Sequence, residues 1–215
     1  MSTREALYPR FMRHGHFQDR TAGQGKRERT RSALLDAAIA VVAEKGMEAA
    51  KISDITTAAG LANGTFYNHF NDKDEILREA AYGIAFEVVG RLDAEMEGID
   101  DAAIRVVTAT TRFVSILTAE RDWAAVLLGG ADRLPDFREN LYRYLRADIE
   151  RGVAQKKFDV EVTTFLLDQI VALIGVAVRA QLHDGQEPEI TRQVCGSILR
   201  LLGMTPARAA KLVPA

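Results

Sequence analysis

Between Lys51 and Phe70 the chain fits two short helical stretches and a turn into 20 residues. Lys51–Ala59 spaces Ile52, Ile55 and Ala59 at a helical period, Gly60-Leu61-Ala62 reads as a tight turn, and Asn63–Phe70 sets Phe66 and Phe70 on one side. Two short helices joined by a glycine-containing turn are the layout of a helix-turn-helix. Gly60 admits a left-handed backbone conformation without a Cβ clash. Ile55 and Leu61 are placed to pin the two helices at a fixed angle, and Phe66 and Phe70 point back into a core. The outer face of the second helix then carries Asn63, Thr65, Tyr67, Asn68 and His69. These side chains donate and accept hydrogen bonds at the size scale of base edges and phosphates, on a helix able to enter a major groove.

The rest of the sequence is helix after helix. A long helix from about Lys26 to Lys45 repeats Leu34, Leu35, Ala38, Val41 and Val42 at helical spacing and stops at Gly46. Asp72 with Glu75 resembles a capping box at the start of the helix over 73–97. Further helices are predicted over 100–119, 121–129, 136–157, 159–183 and 188–203, with breaks at Gly98-Ile99-Asp100, Glu120-Arg121-Asp122, Gly129-Gly130 with Pro135, Phe158, and Asp184-Gly185 with Pro188. The expectation is an all-α chain of about nine helices, with no strand pattern and no internal repeat. An apolar share of 47% against 27% charged residues is the balance of a soluble globule and excludes a disordered chain. No stretch reaches about 18 apolar residues without a charge, so no membrane span is expected, and the N-terminus lacks a secretory signal's apolar segment. The single cysteine, Cys195, reads as a small buried hydrophobe in a reducing compartment.

Charge is unevenly spread. Residues 1–31 hold eight basic side chains against three acidic ones, a net of +5, on a chain whose overall charge is −2. A basic end on an acidic body fits nucleic-acid contact, and a solvated tail is the plainer alternative. Residues 1–25 show no sustained period and read as a flexible basic arm; His14 and His16 within it are too few to hold a metal.

The run from Ile55 to Phe70, followed by Lys73, resembles the DNA-binding signature of the tetracycline-repressor (TetR) family. Its pattern of Ala-Gly-hydrophobic, then Gly-Thr-aromatic-Tyr-x-His-Phe, then Lys is present letter for letter. The similarity extends over about Arg27 to Ala80 and takes in Arg31, Leu34, Ala37, Ala38 and the Gly46 stop. The resemblance implies a homodimer of all-α subunits: a flexible arm (1–25), a helix-turn-helix domain (26–72), and an effector-binding and dimerisation domain (73–215). It implies DNA contacts from Lys51, Asn63, Gly64, Thr65, Tyr67, Asn68, His69 and Lys73. Among these, Asn63 and Thr65 meet bases or phosphates, Tyr67 and His69 anchor to the DNA backbone, and Lys73 caps the next helix onto a phosphate. Three letters depart from the family's habit. Ala62 stands where a capping Ser is frequent, Lys51 where a capping Thr is common, and Thr56 where alanine is usual. Residues 51–73 contain no arginine and no net charge, so affinity is expected to lean on hydroxyls, backbone N–H groups and the arm.

Beyond the signature, the sparse aromatics suggest an apolar cavity between helices, lined by Phe86, Phe113, Trp123, Leu127, Phe137, Tyr142, Phe165 and Gln169; ordinary core packing is the alternative for each. Trp123 is assigned to the cavity mouth. Small residues along 159–183 and the apolar stripe of 188–203 suggest a twofold interface between two copies. The function expected is a cytoplasmic, ligand-responsive transcriptional regulator, a repressor released from a palindromic operator on double-stranded DNA by an apolar or amphipathic small molecule. The alternative is an architectural DNA-binding protein without an effector. No spacing for a metal site, a cofactor or a catalytic constellation is present, so neither enzyme activity nor a membrane partner is expected.

Overall fold

A computed structural model describes residues 25–184 and 188–213. Residues 1–24 of the expected arm (1–25) and Gly185 of the expected break lie outside them. Ten helices and no strand occur among the described residues: α1 Lys26–Ala49, α2 Ile52–Ala58, α3 Asn63–Phe66, α4 Lys73–Glu95, α5 Ala102–Ala119, α6 Arg121–Arg133, α7 Pro135–Ala154, α8 Thr164–Asp184, α9 Pro188–Leu201 and α10 Pro206–Leu212. They divide into two compact units. The first takes residues up to Gly90 together with Arg121–Phe137, and the second takes Arg91–Glu120 with Arg138 onward.

In the first unit α1 buries Leu34, Leu35, Ala38, Val41 and Val42 and kinks at Gly46, where φ is 81°. Asp72 caps α4 by accepting from the Glu75 N–H at 2.8 Å, and the Glu75 carboxylate reaches back to the Asn71 N–H at 2.6 Å. α6 lies along α1. It runs straight through Gly129-Gly130, where the sequence suggested a break. Gly129 is a spacer, since a side chain there would press on Met47, whereas one on Gly130 would only meet Ala81 and Phe137 at ordinary contact distance. Helix continuity is kept because close packing there outweighs the modest helix cost of glycine, about 1 kcal/mol. Phe137 completes this core with its ring edge-on to Tyr82, centroids 5.4 Å apart.

In the second unit α5, α8 and α9 pack on one another, and α10 leans on α9 and α5. Asp101 caps α5 by accepting from the Ala103 and Ile104 N–H groups at 2.9 and 3.4 Å; the Lys157 ammonium beside it holds its carboxyl below the usual carboxylate range. The helix expected from 159 begins at Thr164. Residues before it are drawn off by other partners, since the Asp159 N–H donates to Leu202 O at 3.0 Å, and Thr163 then supplies the cap through its hydroxyl to the Leu166 N–H at 3.2 Å. α10 lies beyond the last helix read from the sequence; Thr205-Pro206, a Pro at the first helical position, was its signal. α5 and α8 are long and apolar enough to cross a membrane, with mean hydropathy of 1.3 and 1.6. Val114 and Leu117 of α5 and Leu167, Ile170 and Val178 of α8 are buried in the unit. Cys195 is buried against Thr111, and burial pushes its thiol up.

Candidate DNA-binding site

All eight residues expected to meet DNA belong to the first unit. The turn that positions them closes as a Schellman motif: Gly60 at φ 66° donates to Thr57 O at 3.0 Å, and Leu61 donates to Thr56 O at 2.9 Å. Ile55, Phe66 and Phe70 are fully buried around that turn, with the Phe66 and Phe70 rings 5.7 Å apart. Behind them the Arg31 guanidinium sits 4.8 Å over the Phe70 ring and makes a two-pronged ion pair with the buried Glu79 carboxylate. This arrangement ties α1 to α4 and fixes the platform on which α3 stands.

The recognition helix is shorter than its sequence suggests. Regular α geometry covers only Asn63–Phe66, and Tyr67–Phe70 continue as tight turns, with Asn68 N–H on Thr65 O and His69 N–H on Phe66 O. Ala62 provides no side-chain cap, as its lack of a hydroxyl dictates. At α2 the missing Thr is made good differently. The Asp54 carboxylate accepts from the Lys51 N–H at 3.2 Å and is held by Lys45 at 3.0 Å. The Lys45 hydrogen bond keeps the Asp54 carboxyl below its ordinary value.

Lys51, Asn63, Gly64, Tyr67 and Asn68 are exposed, and Thr65, His69 and Lys73 are half-buried. Tyr67 is 61% exposed and braces its ring edge-on against Phe66. Lys73 has a job within the fold: its ammonium donates to Glu48 O at 3.1 Å and Met47 O at 3.4 Å, the open carbonyls at the end of α1. The capping foreseen for Lys73 therefore falls on α1. His69 carries a buried Nδ1 with no partner among the described residues. Burial, with Arg27 and then Arg31 nearby, holds its imidazole below the usual value, against a weaker pull from Glu28. Sequence reading missed Asp54 as the cap of α2, Glu79 as the partner of Arg31, and the contact between Thr56 and Asn63. The signal for the first was an acid three residues after the helix start.

The profile of bacterial regulatory proteins of the tetR family matches residues 34–80. The HTH-type transcriptional repressor KstR2 of Rhodococcus jostii (strain RHA1) is 28% identical over 165 residues, covering 70% of this chain and 79% of that protein. Residues 34–80 are a tetR-family DNA-binding domain. The KstR2 repressor of Mycobacterium tuberculosis (strain ATCC 25618 / H37Rv) shows where likeness within the family concentrates: 40% identity over 65 residues, 30% of this chain and 32% of the relative. Over most of the length, the crystal structure of RolR with its ligand resorcinol superposes with a TM-score of 0.66 and 25% identity, covering 87% of this chain and 94% of RolR. With this domain, and with transcriptional regulators as its relatives, the chain is a DNA-binding transcriptional regulator, and α2 and α3 are its helix-turn-helix.

The residues expected to line one effector cavity fall into both units. Phe86, Trp123, Leu127 and Phe137 are in the first; Phe113, Tyr142, Phe165 and Gln169 are in the second. Trp123 is only 3% exposed and sits on α6 alongside α1, within the core of the DNA-binding unit. In the second unit, buried Tyr142 donates its hydroxyl to Asp168, and burial with that carboxylate pushes the phenol up to about 12. Phe165 is 71% exposed, so it stands on an outer face rather than in a closed cavity. Gln169 lines an open groove of about 610 Å³ with Ala172, Leu173, Val176, Ser197, Arg200 and Leu201, along α8 and α9.

Proposed function

We propose that this chain is a transcriptional repressor that grips a palindromic operator as a homodimer and lets go when a small apolar or amphipathic molecule binds its second unit. The observation that carries the reading is the exposed row Asn63, Tyr67 and Asn68 along α3 and the turns that continue it, a segment whose Phe66 and Phe70 are wholly buried. A helix so fixed can enter a major groove with its polar face intact, and two copies one DNA turn apart, roughly 34–36 Å, would read two half-sites. The relatives named as repressors support the sign of regulation. RolR, solved with resorcinol, supports a compact organic effector. The helices α5, α7 and α8 of the second unit, with Phe113 and Tyr142, are the place for it. α4 gives residues to both units and is the covalent route by which the effector reaches the DNA-reading end.

Pairing of two copies through α8 and α9 is supported by the apolar groove and by exposed Phe165 and Val176 on the same helix. Such a regulator works in the cytoplasm, where the DNA is. The test is selection of bound duplexes from a random pool by the full chain, followed by release with a panel of phenols, acyl thioesters and free fatty acids. An inverted repeat released by one class is the expected result. Binding without any sequence preference, unmoved by every class, would favour the architectural reading.

A further inference from the structure

Thr56 is buried in the middle of α2, yet its hydroxyl touches an exposed side chain on the neighbouring helix. It is 1% exposed, and its Oγ1 lies 3.1 Å from Ile52 O, 3.2 Å from Ser53 O and in hydrogen-bonding contact with Asn63 Oδ1. Asn63 is the first residue of α3 and is exposed. An unrestrained asparagine can turn its amide over and offer either the carbonyl or the amino end; pairing with adenine uses both at once, accepting from N6 and donating to N7. Here the carbonyl end is tied inward. The Thr56 hydroxyl has one proton to give and three acceptors around it; it donates to Asn63 Oδ1, the nearest, and leaves Ile52 O and Ser53 O to the helical ladder. What remains facing outward is the Nδ2 amino group, a donor.

We propose that Thr56 is a positioning residue that sets the polarity of Asn63. Held this way, Asn63 donates to an acceptor edge, best guanine O6/N7 or thymine O4, and gives up the paired accept-and-donate contact that favours adenine at one operator position. The inference rests on α3 being the groove-reading helix. The hydroxyl is dispensable for the fold, because the backbone carbonyls it also approaches belong to the ordinary helical ladder. A polar group retained in a buried site that packing alone does not demand is thereby given a function in specificity.

The experiment is duplex selection and competition binding with the full chain and three variants. Asn63→Ala identifies the base pair that residue 63 reads, as the one whose preference flattens. The wild type is expected to prefer guanine or thymine there. Thr56→Val, equal in shape and lacking the hydroxyl, frees the amide; preference at that pair alone should fall by about 5–10-fold or turn to adenine. Thr56→Ser should keep the wild-type preference. Unchanged salt dependence and an unchanged melting temperature would accompany these shifts. A wild-type preference for adenine or cytosine at that pair would overturn the assigned polarity. Thr56→Val weakening all sequences equally, or leaving the preference intact, would reduce Thr56 to packing. Failure of the wild type to select any sequence would sink the DNA reading itself, and is told apart because it precedes every variant.

Discussion

The helix-turn-helix of the first unit and the α5–α8–α9 layer of the second are both all-helical, but they are held by different means. α2 and α3 are 7 and 4 residues long, too short to stand by their own hydrogen bonds. They depend on particular groups: a left-handed Gly60, the Asp54 cap, buried Phe66 and Phe70, and the Arg31–Glu79 pair beneath. α5, α8 and α9 run 18, 21 and 14 residues and need only an apolar stripe at the right period. A fold made of obligatory letters leaves a signature, whereas one made of periodicity leaves only a composition. The second arrangement also leaves its lining free to vary, which suits a domain that must match an effector.

The sharpest way to break this comparison is Trp123→Ala. Because Trp123 is buried on α6, along α1, its truncation should cost about 3–5 kcal/mol in urea unfolding and take DNA binding down with it. A near-native melt with intact operator binding and lost induction would instead return Trp123 to an effector site and blur the line between the units.

The next effect in size tests whether polar pins matter more at the DNA-reading end. Glu79→Gln keeps the shape but removes the charge from the pair with Arg31, and should cost roughly 1.5–3 kcal/mol. Asp148→Asn in the second unit should cost less, because Arg105 retains Met96 O at 3.2 Å and Ile99 O at 3.4 Å. Equal losses in chemical denaturation would show that the two units are pinned alike.

This contrast also explains what sequence reading reached. The turn at Gly60, the buried faces of Phe66 and Phe70 and the exposed Tyr67 were legible because each follows from local geometry. Thr56 was noticed only as a departure, since its contact with Asn63 spans two helices. Gly129-Gly130 was misread because close packing against Met47 is a tertiary fact, whereas glycine's helix-breaking habit is local. The aromatic set was divided between two units because spacing along a chain carries no information about which long helices meet. α10 was missed behind Gly203, where a positive φ ends α9 and Pro206 restarts the chain.

Within the DNA-reading face, Tyr67→Phe should leave unfolding unchanged, because the ring keeps its edge-on place against Phe66. It should weaken operator and non-specific DNA alike, by about tenfold for one hydrogen bond to a charged phosphate. Titration of both duplexes by anisotropy would measure it. A loss confined to the operator would move Tyr67 from anchoring the backbone to reading a base.

The smallest effect comes from His69, and its sign separates contact from packing. Burial and the cations Arg27 and Arg31 hold its imidazole below the ordinary value near 6.5, so the folded chain binds this proton less readily than the unfolded one. The stability associated with neutral His69 is therefore complete above that value and declines as pH falls through it towards the lowered folded pKa. A phosphate placed against the ring has the opposite influence, because it favours imidazolium. Operator binding should then take up a proton, and affinity should rise over the same pH interval in which stability falls. Opposed slopes in binding and in melting, both abolished by His69→Gln, are the expected pattern. Affinity that is flat with pH while melting still declines would mean that His69 only packs the small domain, and that Tyr67 anchors the backbone without it.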